Sequence, residues 1–171
     1  VYQRTGVDWR AMFKRFLNHR GRIQSRASYK RQSRRYEGYP GSKRSIGLRV
    51  LVALDESGSI SNEQLLTFLH ELSEVSRGTR AEIWVTEFDT TCTEPKPATQ
   101  YRHQQKREKK GGTDFRPVFA LADRLHISFV LLFTDGKGTA PSQANQRVLW
   151  VLTNGGRQPA PYGDSVSFSP S

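Results

Sequence analysis

The sequence lacks several features that would assign it to a familiar class. Its one cysteine, Cys92, cannot form an internal disulfide or a thiolate zinc cluster, which excludes disulfide-stapled scaffolds and cysteine-rich zinc modules. No apolar run approaches the roughly 18 residues that a membrane-spanning helix needs. The first residues are too charged for a signal peptide. We therefore expect a cytoplasmic protein that makes no use of a membrane.

Recognisable catalytic motifs are also missing. His70 and Glu71 begin like the zinc-protease motif H-E-x-x-H, but Glu74 stands where the second histidine belongs. The segment "TDGKGT" superficially resembles a phosphate-binding P-loop, yet Leu131 occupies the position of its required upstream glycine. No Ser-His-Asp set is indicated. We expect this chain not to be an enzyme, so any peptidase chemistry of a longer parent protein would lie outside these residues.

Acidic residues are scarce in the first quarter of the chain. The 171 residues carry a net charge of +11, and residues 1–45 contain 13 Lys and Arg against only Asp8 and Glu37. The remaining residues balance 14 basic against 14 acidic side chains. The sequence therefore predicts a basic arm, residues 1–45, on a neutral domain, residues 46–171, and the arm suits an anionic partner.

Two interpretations of this arm stay open. It either lies over the domain and pairs its arginines with acids there, or it contacts the phosphates of RNA or DNA, with tyrosines as stacking partners. Asp8 precedes an apolar stripe at helical spacing, which predicts a short helix that docks on the domain. Residues 18–45 are predicted to be extended or irregular. The candidate nucleic-acid contacts are Arg26, Lys30, Arg31, Arg34 and Arg35.

From residue 48 onward, strand and helix patterns alternate. Near-continuous apolar runs at 48–54, 81–88, 128–134 and 147–153 predict strands that are buried on both faces and hence parallel. Ser61 and Gln64 form a capping-box pattern ahead of a helix that ends near Gly78, and Asp114 is expected to cap another helix. Residues 89–103 read as a polar loop, and the C-terminal tail supplies a short edge strand. The predicted fold class is α/β, a doubly wound, mostly parallel sheet flanked by helices.

Two of these strands end in the same way. The first ends at Asp55 and the third at Asp135, and the carboxyl ends of parallel strands open on one edge, where such folds place their sites. Between them, Gly111 and Gly112 permit a close approach of Thr113. We expect side-chain oxygens from three segments to converge there, although a helix-capping turn would use similar residues. The candidate ligands are Asp55, Ser57, Ser59, Thr113 and Asp135.

The donor atoms of this set are all oxygens, without histidine or thiolate. Oxygen donors favour a hard cation, Mg²⁺ first, with Mn²⁺ or Ca²⁺ as alternatives. Two carboxylates and three neutral hydroxyls leave such an ion under-neutralised and partly hydrated. An open coordination position then favours an Asp or Glu side chain from another molecule.

Three short segments carry a resemblance to a known family. "DESGS" at residues 55–59, "GGTDF" at 111–115 and "FTDG" at 133–136 resemble, in order and placement, the metal-ion-dependent adhesion site (MIDAS) of von Willebrand factor A (VWA) domains. The resemblance implies that Ser57, Ser59 and Thr113 bind the metal directly or nearly so. It implies that Asp55 and Asp135 act through water or orient the hydroxyls.

A narrower resemblance extends into the arm. The segments "VDWRAMFKRFL", "SRRY", "LDESGSIS", "GGTDFRPVF", "LLFTDGKG" and "VLWVLT" resemble a bacterial VWA-like family often found behind a predicted metallopeptidase domain and associated with MoxR-type AAA+ ATPases. This resemblance implies a non-enzymatic, Mg²⁺-dependent protein-binding module. The expected partner presents an acidic side chain, and a MoxR-type AAA+ ATPase is the partner that the resemblance suggests. The alternative function is binding of RNA or DNA through the basic arm.

Overall fold

The structure, a computed structural model, describes residues 8–28, 48–103 and 112–168, and for residues 19–28 the backbone alone. These residues form three helices and six strands. Every strand except the third lies in an apolar run of the sequence or in the C-terminal tail. In chain order they are α1 (Trp9–Ser28), β1 (Arg49–Asp55), α2 (Asn62–Arg77), β2 (Glu82–Phe88), β3 (Lys96–Pro97), α3 (Arg116–Arg124), β4 (Phe129–Thr134), β5 (Arg147–Leu152) and β6 (Asp164–Ser167).

The six strands form one sheet in the order β3-β2-β1-β4-β5-β6. All neighbours pair in parallel except β3, which runs antiparallel to β2 at the edge. The predicted α/β class with a mostly parallel sheet is confirmed. After β1 the chain adds β2 on one side and later returns to add β4 on the other side, so the strand order reverses between β1 and β4. Parallel sheets of this kind bind ligands outside the carboxyl ends of the strands at such a reversal.

Helices cover both faces of the sheet, which explains why the central strands are apolar throughout. α1 and α2 lie on one face and α3 on the other. The docking of α1 is anchored by its Trp9 indole N–H, which donates a hydrogen bond of 2.7 Å to the buried carboxylate of Glu71 on α2. The predicted docking of the N-terminal helix is therefore confirmed. The α1 side chains buried against this face are Trp9, Phe13 and Leu17.

The local signals around α2 behave as the sequence predicts. The Ser61 hydroxyl accepts a hydrogen bond from the Gln64 backbone N–H at 3.2 Å, and the Gln64 side chain accepts from the Ser61 backbone N–H, also at 3.2 Å. This reciprocal pair satisfies two donors that a helix N-terminus otherwise leaves without a partner. α2 then ends with Gly78 at its C-cap. The predicted edge strand of the tail is present as β6.

Three predictions about local structure are wrong. Residues 18–28, predicted to be irregular, continue α1 to Ser28. The apolar stripe ends at Leu17, but a docked first half provides a helical nucleus, and residues 18–28 contain no proline that would stop the helix. Residues 29–45 lie outside the described residues. Lys96 and Pro97, assigned to a loop, form β3, a position at the sheet edge where proline is tolerated.

The third wrong prediction concerns the start of α3. Asp114 does not occupy the N-cap, because α3 begins at Arg116 and Phe115 takes the cap position without a side-chain hydrogen bond. Asp114 is held one residue earlier by a bridge to Thr139. Its carboxylate still accepts the Arg116 backbone N–H at 3.0 Å and pairs with the Arg116 guanidinium at 2.7 Å. Pro117 lies in the first turn as predicted.

Candidate metal centre

The candidate site is built around two buried aspartates at the reversal of strand order. Asp55 is the last residue of β1, and Asp135 directly follows β4, the strand that pairs with β1. Asp55 is fully buried and Asp135 is 4% exposed. Among the described residues, none of the ion pairs involves either carboxylate. Two buried carboxylates that are not paired with a cation are costly unless something positive lies between them.

The hydrogen bonds of Asp55 fix its side chain in one orientation. One carboxylate oxygen accepts a bond of 2.5 Å from the Thr134 hydroxyl, and the other accepts the Ser57 backbone N–H at 2.8 Å. Burial is the main cause that raises the pKa of Asp55; these hydrogen bonds oppose the rise, and the charge of Asp135 adds to it. A positive ion at this point would relieve both the burial cost and the repulsion.

The two serines of the first segment follow on an exposed loop. The hydroxyl oxygens of Ser57 and Ser59 lie 3.0 Å apart, close enough to share one ion. The loop is held from β5, because the Asn154 side-chain amide donates to the Ser59 carbonyl at 2.7 Å. The Asn154 amide oxygen in turn accepts from the Gln64 side chain at 3.0 Å. This clamp connects the serine loop, the start of α2 and the end of β5.

The Asp135 segment is packed so closely against the loop after β5 that only glycine fits. Gly136 has φ +81°, and a Cβ added there would lie 1.8 Å from the Arg157 carbonyl oxygen. A Cβ at Gly156 would lie 2.1 Å from the Asp135 carbonyl oxygen. The Asp135 carboxylate accepts the Lys137 backbone N–H at 3.0 Å, which aims it across the turn. The segment is thus a rigid support for a carboxylate.

Thr113 reaches the same edge through backbone contacts. Its carbonyl accepts the Thr139 N–H at 3.3 Å, and the Phe115 N–H donates to the Thr139 carbonyl at 2.8 Å. Gly138 permits this approach, since a Cβ there would lie 2.6 Å from the Thr113 carbonyl oxygen. Thr113 is therefore tied to the turn that carries Asp135, but no hydrogen bond within the described residues joins its hydroxyl to the two aspartates. Gly111 lies outside the described residues.

Hydrogen bonds link Asp55, Ser57 and Ser59 to one another, while Asp135 is placed beside them by the pairing of β1 with β4 and Thr113 by its backbone contacts to the turn after Asp135. Within the described residues, no group of three His, Cys, Asp or Glu side chains could hold a metal, which disfavours a zinc-type or carboxylate-rich centre there. An ion site in this part of the chain would have to draw on other oxygens as well, such as hydroxyls, carbonyls or water. The donor set of two carboxylates and three hydroxyls fits a hard cation such as Mg²⁺, although as an assignment it stays a prediction.

Other residues of the site were not predicted as functional. Thr134 is the last residue of β4, and its hydroxyl positions the Asp55 carboxylate. Asn154 has φ +54°, the left-handed conformation that asparagine tolerates, and "NG" after an apolar strand is the signal that points to it. Thr153 is fully buried, and its hydroxyl has no partner among the described residues.

The candidate nucleic-acid residues are not assembled into a site by the structure. Arg26 lies near the end of α1, where the backbone alone is described. Lys30, Arg31, Arg34 and Arg35 lie outside the described residues. No helix within the described residues is long and apolar enough to cross a membrane.

Comparison with known proteins identifies the class. Residues 50–169 match the family described as "VWA-like domain (DUF2201)", and the chain therefore belongs to this VWA-like family. The match contains all five candidate ligands.

Individual relatives add little about function. A 152-residue stretch is 29% identical to an uncharacterized protein of Thermotoga maritima, covering 86% of this chain and 37% of that protein. The chain thus spans little more than a third of this relative. A crystal structure of an aerotolerance-related membrane protein from Bacteroides fragilis is 16% identical, with a TM-score of 0.47 over 62% of this chain and 67% of that one. This second likeness is too distant to inform function.

Proposed function

We propose that this VWA-like domain is a non-enzymatic, Mg²⁺-dependent module that binds a partner protein through a MIDAS-type site. The observation that carries the proposal is the pair of buried aspartates, Asp55 and Asp135, at the reversal of strand order, without a cationic side chain paired to either among the described residues. Such a pair suits a divalent cation held at the carboxyl edge of the sheet.

In this proposal each segment has its own task. The hydroxyls of Ser57, Ser59 and Thr113 bind the ion directly or nearly so, and the two aspartates balance its charge through water or orient the hydroxyls. Bound Mg²⁺ supplies a coordination position that an incoming carboxylate can fill. Because Gly58 and Ser59 of the serine loop are exposed, this position faces the side from which the Asp or Glu of a partner would approach. Mn²⁺ or Ca²⁺ are alternative occupants.

The proposed partner is a MoxR-type AAA+ ATPase, for which the domain would act as an adaptor in the cytoplasm. This partner rests on the family resemblance of the sequence segments, and the site chemistry adds only that the partner must offer an acidic side chain. The decisive comparison is binding of the purified ATPase from the same genome to the wild-type chain and to an Asp55→Asn variant, in Mg²⁺ and in EDTA.

Binding should need Mg²⁺ and should be lost in Asp55→Asn. Asp164→Asn is the matched control, because it makes the same chemical change at an exposed position. Asp164 is the first residue of β6, whereas the candidate site lies at the carboxyl ends of β1 and β4. Equal binding in Mg²⁺ and EDTA by all three proteins would refute the metal-dependent mechanism. No binding by any of them would refute the proposed partner but not the site.

The alternative is binding of RNA or DNA through the basic arm, and the observation that favours it is the concentration of the whole net charge in residues 1–45. Binding of this kind weakens steeply with salt, because neutralised phosphates release counterions. It should also survive EDTA and the Asp55→Asn change. A flat salt response with single-stranded and duplex probes would remove this alternative.

A further inference from the structure

Two exposed cations lie beside the candidate metal centre on its β4 and β5 side. Lys137 is two residues after Asp135 and gives its backbone N–H to that carboxylate at 3.0 Å. Arg157 lies against the same turn, since its carbonyl oxygen would be 1.8 Å from a Cβ on Gly136. Gly136, the residue before Lys137, therefore packs directly against the Arg157 backbone. Both side chains are exposed.

Neither cation is engaged elsewhere in the described structure. Lys137 and Arg157 take part in no ion pair with a described residue, whereas other arginines near the sheet edges, such as Arg116, are bound to an aspartate. An exposed cation without an acid is ordinary by itself. Here, however, Lys137 lies on the turn that carries Asp135 and Arg157 lies on the loop packed against that turn, so two exposed positive charges belong to segments next to one candidate metal ligand.

The opposite side of the site carries acids. Asp89 follows β2, its carbonyl accepts the Asp114 backbone N–H at 2.7 Å, and its carboxylate accepts the Thr91 N–H at 3.0 Å. Asp114 lies next to Thr113. On this side the Asp114 carboxylate is already paired with Arg116 at 2.7 Å, whereas Lys137 and Arg157, on the β4 and β5 side, have no ion pair with a described residue. A second acidic charge of a partner segment would therefore find an available cationic side chain at Lys137 and Arg157.

We propose that the site selects a partner segment with two carboxylates, one on the metal and a second, a few residues away, paired with Lys137 and Arg157. This inference rests on the proposed function and specifies the partner: a single exposed Asp or Glu is bound weakly, and a second acid supplies both added affinity and orientation. The magnitude is modest because exposed ion pairs each contribute only a few tenths of a kcal/mol to about 1 kcal/mol.

The test uses blocked Gly/Ser peptides that carry either one Asp or two Asp separated by two, three or four residues. Their binding to the full chain in Mg²⁺ is followed by NMR titration at low and high salt. The best two-Asp peptide should bind the wild type at least roughly threefold more tightly than the one-Asp peptide at low salt, and this gain should shrink at high salt.

Lys137→Gln with Arg157→Gln should abolish the gain of the two-Asp over the one-Asp peptide, because the gain is the ratio of two affinities for the same protein and cancels any general effect of the lost charge. Arg80→Gln with Arg124→Gln is the matched control, because the two substitutions remove the same net charge. Both arginines are exposed and lie near the amino ends of strands, whereas the candidate site lies at the carboxyl ends. A gain that persists without Lys137 and Arg157, or is lost equally in the control, overturns the inference. If one-Asp binding remains Mg²⁺-dependent in that case, the proposed function stands. Absence of Mg²⁺-dependent binding by every peptide overturns both.

Discussion

Replacement of Asp55 by asparagine separates the metal-binding role of this residue from its structural role. Asparagine has nearly the same shape, and its amide oxygen can still accept the Ser57 N–H that the carboxylate accepts at 2.8 Å. The amide NH₂ would face the Thr134 hydroxyl, now 2.5 Å from the other carboxylate oxygen, and that hydroxyl can turn and accept instead of donating. The number of hydrogen bonds is therefore kept, while the negative charge is removed.

The magnitudes follow from these contacts. Two hydrogen bonds change from charged to neutral, which costs about 1 kcal/mol, and the loss of a buried charge beside Asp135 offsets part of it. Without metal, the free energy of unfolding should stay within about 1 kcal/mol of the wild type. With Mg²⁺ at about 100 times its Kd, the wild type gains about 2.7 kcal/mol, because the ion binds the folded state. For a chain of this size that gain raises Tm by about 5 to 10 °C.

The assay is thermal unfolding of both proteins in EDTA and in Mg²⁺. The wild type should show the Mg²⁺-dependent rise in Tm, and Asp55→Asn should show little or none of it while melting close to the wild type in EDTA. An equal Mg²⁺ shift in the two proteins would contradict the assignment of Asp55 to the metal site. A large loss of stability in EDTA would show that the charge itself holds the fold, contrary to its raised pKa.

Three further predictions concern the support of the site. Asn154→Gly keeps the left-handed backbone but removes both side-chain hydrogen bonds. It should lower the free energy of unfolding by about 1 to 2 kcal/mol and weaken Mg²⁺ binding severalfold in titration calorimetry. Gly136→Ala should destabilise the chain by more than about 2 kcal/mol in urea unfolding, because the added Cβ would collide with the Arg157 carbonyl. Gly155→Ala is the control: its φ is also positive, +68°, but no atom lies within 4 Å of the added Cβ, so it should cost only about 1 kcal/mol. Burial raises the pKa of Asp55 above 3.8, so the folded metal-free protein binds the proton more tightly than the unfolded chain. The stability of the wild type relative to Asp55→Asn should therefore fall as pH rises above 3.8, and parallel pH profiles of the two proteins would contradict this.

Much of the fold could be predicted because burial leaves a direct trace in the sequence. Strands such as β1 and β4 are covered on both faces, so each reads as a continuous apolar run, and the capping pair of Ser61 and Gln64 fixes the start of α2. The position of the two aspartates at one edge follows from parallel pairing alone. These features depend on residues that are close in sequence or on a general property of the sheet.

The features that were missed depend on contacts between distant segments. The N-cap of α3 moves from Asp114 to Phe115 because Thr139, from the turn after β4, holds the chain ahead of it. The clamp from Asn154 to the serine loop joins residues that are 95 positions apart. The hydrophobic periodicity of the sequence does not indicate a contact between such distant residues. Likewise, the extension of α1 to Ser28 depends on its docked first half and not on an apolar stripe of its own.

We propose that oxygens from three segments hold one hard cation above β1 and β4. The sharpest test is anomalous diffraction from crystals of the chain soaked in Mn²⁺, with Asp55→Asn crystals as the control. We expect one peak at the carboxyl edge, within coordination distance of the Ser57, Ser59 and Thr113 hydroxyls, that disappears in the variant. A Mn²⁺ peak elsewhere with none at this edge, in crystals where the serine loop is accessible, would refute this site.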